Sequence, residues 1–251
     1  SLTAVLSLSA QSAPGQTRVA LQSHSERVNI VGRTAVTTVS QVYVNYTNSN
    51  QEIVMKFQLP PGGAVSELAM WVGGLRSPAV FHPRIAARRI YRQIRNAQRD
   101  PALLEYLGSD TWRLSVFPIL PKSTQKVEFK FTSVLGGTGA DCVYRSMKVI
   151  GGTFKEAVSF KLAATLRCPG GIKDVKAIAD ALGVQRFKDR IELGFRGNNW
   201  KLDHPAAFAF TPEVKQSNVT VFKSPGGQKH YAAVLDPSWD APKHERVGRN
   251  M

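Results

Sequence analysis

The chain has 251 residues, 43% of them hydrophobic, enough for one large or two ordinary packed domains and too apolar for wholesale disorder. Thirty-three Lys and Arg against 18 Asp and Glu leave a formal charge of +15, a field that attracts any polyanion without by itself defining a nucleic-acid site. Two cysteines, Cys142 and Cys168, exclude a disulfide scaffold and zinc-ligand spacing, and no stretch approaches the ~20 apolar residues of a membrane-spanning helix.

The opening, SLTAVLSLSAQSAPG, is mildly apolar and ends in small residues, with no basic region before it. It reads as a mature N-terminal segment over 1–16. From Thr17 the text turns β-like. RVNIVG, AVTTVSQVYVNYTN and EIVMKFQLP are short runs rich in Val, Thr, Ile, Tyr and Phe, each closed by Gly, Asn or Pro. Val42, Val44 and Tyr46 alternate with Gln41, Tyr43 and Asn45, as on a strand with one buried face. PPGGA (60–64) is a turn, and VSELAMWVGG is another strand ended by a glycine pair.

The period then changes. At about 100° per residue, Ala86, Ala87, Ile90, Tyr91, Ile94 and Ala97 share one arc of a helix, and Arg84, Arg88, Arg92, Arg95 and Arg99 share an adjoining one. With Arg89 this segment, 84–100, carries six arginines and no acid before Asp100. The Asp100-Pro101 step ends the helix, because a residue before Pro avoids the α region. PALLEYLG follows, with Pro first and Gly last, and predicts a second short helix.

Strands resume at TWRLSVFPIL and, after the turn PKST, at QKVEFKFTSVL. There Val127, Phe129 and Phe131 face one way and Glu128 and Lys130 the other. GGTGAD (136–141) is the expected boundary between domains spanning 17–135 and 140–236. The second holds strand candidates CVYRSMKVI, AVSFKLAATLRC, DRIELGFRG, AAFAFTP, NVTVFKS and KHYAAVLD, with IKDVKAIADALG open between helix and strand. Residues 237–251 read as a linker or strap.

His24, His82, His204, His230 and His244 form no helical metal motif. No nucleophile elbow, P-loop or dinucleotide fingerprint occurs, so no catalytic residue, cofactor or metal is expected. Asn45-Tyr46-Thr47 and Asn218-Val219-Thr220 are glycosylation sequons. Cys142 and Cys168 are either two free thiols or one bridge, which would close a loop of about 25 residues and contribute roughly 3 kcal/mol. The arginine helix also leaves two readings open. Arg84, Arg88, Arg89, Arg92, Arg95 and Arg99 form a solvated face, or they meet an acidic partner, since each like-charged neighbour pair costs a few tenths of a kcal/mol and Arg suits carboxylate, sulfate and phosphate.

Residues 20 to 135 resemble the VIT module, the vault protein/inter-alpha-trypsin domain. ALQSHSERVNIVGRTAVTTVSQVYVNYTN resembles its opening, with Tyr43 where Phe is commoner. QEIVMKFQLPPGGAV resembles its E-x-x-y-x-F-P-L-P-x-G-A-x-V block at Glu52, Phe57, Leu59, Pro60 and Ala64. RDPALLEYLG resembles bacterial VIT proteins of exported architecture. The resemblance implies a mainly β fold: a VIT β-sandwich whose capping amphipathic helix seats its Ala/Ile/Tyr stripe on the sheets, then a second, hybrid-type β-sandwich-like domain. It implies a non-enzymatic structural or protein–protein interaction module, secreted, periplasmic or at the cell surface, assembling with other protein chains. A von Willebrand A domain would follow residue 251 in a longer protein. The alternative is a binder of nucleic acid or acidic polysaccharide through the arginine helix.

Overall fold

A computed structural model describes residues 18–72, 74–78, 102–137, 141–154, 156–168, 170–178, 182–213, 218–223 and 229–234. Every regular element among them is a strand: β1 (Val19–Val31), β2 (Thr34–Asn45), β3 (Gln51–Gln58), β4 (Ala64–Val72), β5 (Leu75–Pro78), β6 (Ala102–Gly108), β7 (Thr111–Ile119), β8 (Thr124–Val134), β9 (Cys142–Arg145), β10 (Lys148–Gly152), β11 (Glu156–Arg167), β12 (Ile172–Ala177), β13 (Gly183–Arg186), β14 (Ile191–Lys201), β15 (Ala207–Pro212), β16 (Asn218–Lys223) and β17 (Lys229–Val234). The helix expected over 84–99 lies outside the described residues.

The second expected helix is corrected. Ala102–Gly108 of that stretch form β6, which pairs antiparallel with β7. Gly108 does not cap a helix. Gly108 takes a positive φ of 104°, and Ser109 and Asp110 follow at 47° and 57°, two consecutive left-handed residues of the kind a tight hairpin requires. Ala102 and Leu104 pack on the core, and Glu105 stands opposite Arg113. Cross-strand pairing thus overrides the helical propensity of Ala, Leu and Glu. IKDVKA resolves as the strand β12.

An eight-stranded sheet, ordered β13-β14-β11-β1-β2-β8-β4-β5, is the spine. A four-stranded sheet, β10-β3-β7-β6, covers one stretch of it, and a three-stranded sheet, β12-β15-β9, covers another. The first sandwich buries Val39, Tyr43, Phe129 and Phe131 of the spine against Ile53, Met55, Phe57 and Leu114. The second buries Val28, Ile30, Leu162 and Leu166 against Tyr144, Phe208 and Phe210. The β-strand β1 contributes to both, Val19 and Leu21 to the first core and Val28 and Ile30 to the second. The expected boundary at 136–141 falls between β8 and β9, yet β1 runs parallel to β11 from Ser23↔Ser159 to Val31↔Arg167, so strands from both sides share one sheet.

On β8 the alternation reads straight through: Val127, Phe129 and Phe131 are buried. On β2 the buried face is the more polar one. Gln41, Tyr43 and Asn45 are fully buried, whereas Tyr46 is 50% exposed.

Candidate functional site

Gln41 and Tyr43 belong to one chain of hydrogen bonds between the two cores. The Tyr43 hydroxyl donates to Gln41 Oε1 at 2.6 Å, and Gln41 Nε2 donates to His24 Nδ1 at 3.0 Å. With Nδ1 accepting, His24 carries its proton on Nε2 and donates it to Glu26 Oε1 at 3.1 Å. Glu26 Oε2 accepts from the Tyr144 hydroxyl at 2.8 Å, and the Tyr144 oxygen accepts from Thr37 at 3.2 Å. Burial, with the Glu26 carboxylate beside it, holds the Tyr144 phenol well above its usual range; burial alone raises Tyr43. His24 also stacks on Phe160, ring centroids 5.5 Å apart.

A histidine, a carboxylate and two phenols have the composition of an acid–base site. Their burial gives them another task, since His24 and Glu26 are each 1% exposed and no substrate touches them there. Each donor instead finds an acceptor, which fixes the register of β1 on β2 and fastens β9 beneath them. His24-x-Glu26 at strand spacing is the signal that betrays this pair, because residues two apart share one face.

Asn45 is equally committed. Its Nδ2 donates to the carbonyls of Ser49, Ile119 and Leu120 at 2.8, 2.8 and 3.0 Å, and its Oδ1 accepts from the Thr47 amide and hydroxyl. A glycan has no access to an amide held this way, so this sequon is a turn-forming motif in the folded chain.

The accessible candidate lies where two sheets end. β13 is the terminal strand of the eight-stranded sheet and β12 that of the three-stranded sheet. Between them opens a cleft of about 430 Å³, floored by Leu166, Ile172 and Ile191 and rimmed by Arg186, Phe187 and Lys188. Arg186 Nη1 reaches across to the Ile172 carbonyl at 3.4 Å, spanning the two edges. All four residues of β13 are exposed, and Val184 and Phe187 are apolar groups 42% and 45% exposed. Arg190 lies over the Phe187 ring at 4.2 Å and is matched by Asp189 and Glu192. Arg186 and Lys188 have no acid partner among the described residues.

The sequence-predicted residues fall as follows. Arg84, Arg88, Arg89, Arg92, Arg95 and Arg99 lie outside the described residues. Cys142 and Cys168 are both free thiols. Burial pushes the Cys168 thiol up to about 11, with Cys142 beside it adding to the shift, and Cys168 lines the cleft. Neither the cleft nor the open strand β13 was expected from the sequence; the one local hint is the apolar–basic run from Val184 to Arg190.

The vault protein inter-alpha-trypsin domain model matches residues 21–131, the span from β1 to β8. This chain is a VIT domain protein. No curated protein matches this VIT chain at a significant level. Among solved structures, a Legionella pneumophila protein named for nutrient binding aligns at 10% identity and a TM-score of 0.43, covering 78% of this chain and 68% of its own. An M1 zinc metallopeptidase of Deinococcus radiodurans aligns at 11% and 0.41, covering 92% of the VIT chain and 52% of its own. A protein of Parabacteroides distasonis named as a protease aligns at 8% and 0.40, covering 79% and 41%. The VIT chain therefore spans about half the length of the metallopeptidase and less of the protease.

Proposed function

We propose that this VIT protein is a non-enzymatic interaction module of an exported or cell-surface protein, joining other protein chains by strand addition at a free sheet edge. In this reading the arginine-bearing helix over 84–99 caps the first sandwich, the strands beyond 140 form a second β-rich domain, and a von Willebrand A domain follows in the longer protein. One observation carries the reading: among the described residues β13 is the last strand of the spine, with every residue exposed, beside a cleft with an apolar floor. An unpaired edge offers main-chain donors and acceptors that another strand satisfies. Light scattering and sedimentation of the full chain across a concentration series, alone and with extracts of its native envelope, test it. A stable assembly that a photo-crosslinker at Gln185 captures supports the reading; a chain that stays monomeric and captures nothing at any site overturns it.

A second reading, polyanion binding, draws support from a different face. On the outward side of the spine Lys161 stands directly opposite Arg196, and Arg27 lies one strand over, opposite Ala163. All three are exposed and unpaired with acids among the described residues. At the other end of the sheet Lys130 and Arg76 are matched by Glu67 and Glu128. Like charges facing each other across strands destabilise a sheet, and a polyanion would relieve this. Ser25, Ser40, Thr38 and Thr165 surround the row, and among the described residues no aromatic side chain joins it for base stacking. Retention on a sulfated-polysaccharide column should fall linearly with log salt, and neutralising Arg27, Lys161 and Arg196 together should reduce the slope. An unchanged slope rules this face out.

A further inference from the structure

The cleft at β12 and β13 specifies more than a free edge; its chemistry defines what enters it. A strand laid along β13 inherits the period of the sheet, so alternate side chains fall on the face shared by Val184 and Arg186. That face is the inner one, because Val184 pairs with Leu193 and Arg186 with Ile191, both buried. Side chains on this face therefore enter the cleft over Leu166, Ile172 and Ile191. The volume, about 430 Å³, lies within the range of clefts that bury small ligands or a few side chains.

Charge settles the remainder. Three cations rim the cleft, and one is already neutralised: Arg190 bonds Glu192 at 2.7 Å and Asp189 at 3.1 Å. Among the described residues Arg186 donates to a main-chain carbonyl and makes no ion pair. Lys188 makes no ion pair among the described residues. Two unmatched cations beside an apolar floor favour a ligand that is apolar on one side chain and anionic nearby. A second copy of this chain, at +15 overall, brings like charge to the same rim. A partner segment rich in carboxylates brings the opposite sign and binds faster for it.

Resting on the strand-addition reading above, we propose that the slot between β12 and β13 takes an extended segment of a partner protein that carries apolar and acidic side chains on the same face, two residues apart. Its apolar side chains fill the cleft over Leu166, Ile172 and Ile191, and its carboxylates pair with Arg186 and Lys188. Its backbone continues the eight-stranded sheet.

Fluorescence anisotropy on the full chain tests this with short labelled peptides whose every second residue is Ser and whose other positions, all on one face, are Val and Glu in turn, Val and Lys in turn, or Ser and Glu in turn. The Val–Glu peptide should bind saturably and slow hydrogen exchange at the amides of β13. Arg186→Glu with Lys188→Glu should weaken it about tenfold or more, and circular dichroism of that double variant should match the parent. Equal binding of Val–Lys overturns the acidic specificity while strand addition stands. Equal binding of Ser–Glu overturns the apolar seat and leaves only charge. If no peptide binds and the chain associates with itself through Gln185, the occupant is a second copy and this proposal fails while the interaction reading survives. If no peptide binds and no partner is captured, both fail.

Discussion

Tyr144 on β9 donates its hydroxyl hydrogen to Glu26 on β1 at 2.8 Å across 118 positions of sequence. It ties the spine to the small sheet beneath it, and its acceptor is a carboxylate 1% exposed. Tyr144→Phe removes that donor and strands the Thr37 hydroxyl, whose partner it also was. A hydrogen bond to a buried charged group contributes roughly 1.5–3 kcal/mol, so the variant should lose about that much unfolding free energy, read as a lower urea midpoint at unchanged slope. A midpoint equal to the parent's would show that Glu26 gains nothing from the phenol.

Asn45→Asp is nearly isosteric and should do more harm. It turns a donor held by three carbonyls into an oxygen facing them. The loss is about 3 kcal/mol, from broken bonds plus a buried unpaired group. At roughly 2–4 °C per kcal/mol for a chain of this size, the thermal midpoint should drop by about 6–12 °C. Expressed through a eukaryotic secretory route, the parent should carry no glycan at Asn45 by peptide mass mapping.

Acid sensitivity has a named source on the outer face. Lys130, bonded to Glu67 at 2.7 Å, holds that carboxyl below the usual carboxylate range, and Arg76 adds to the effect. A carboxyl depressed in the folded state stabilises the fold above its unfolded pKa and loses that contribution as pH falls through the folded value. Urea midpoints measured from neutral to acid pH should therefore decline, and Lys130→Met should flatten part of the decline. Parallel curves for the two proteins would remove Glu67 from the account.

The thiols answer to alkaline pH instead. With the Cys168 thiol pushed up to about 11 and Cys142 raised by burial, both stay protonated near neutrality, and the thiolate is the reactive form. Iodoacetamide should label the native chain slowly and the unfolded chain fast, as mass spectrometry will read. The folded state keeps these protons to higher pH than the unfolded state does, so stability should fall as pH rises between the ordinary thiol value and about 11.

The strands whose partners are local or whose faces are purely apolar were legible in the text. β8 is the clearest, because Val127, Phe129 and Phe131 alternate with charge and all three are buried. β6 misled because Pro101 and Gly108 frame it as they would a helix, while the positive φ at Ser109 and Asp110 makes the same glycine part of a hairpin. On β2 periodicity was visible and polarity pointed the wrong way. Gln41 and Asn45 are buried because their partners, His24, Ile119 and Leu120, lie 17 to 75 positions off, beyond any window of hydrophobic alternation. The cleft was invisible for the same reason: it exists only where β12 and β13, ends of two different sheets, come together.

The parallel seam of β1 with β11 sets an order of events during biosynthesis. A ribosome must deliver more than 130 further residues after Ser23 before Ser159 emerges to sit beside it. Until then the nascent VIT segment displays a long unsatisfied flank, attractive to chaperones and to neighbouring nascent chains. A fragment cut at the family's own limits, 21–131, would keep that flank bare permanently, so a piece that keeps this seam paired must be larger than the module that gives the protein its family.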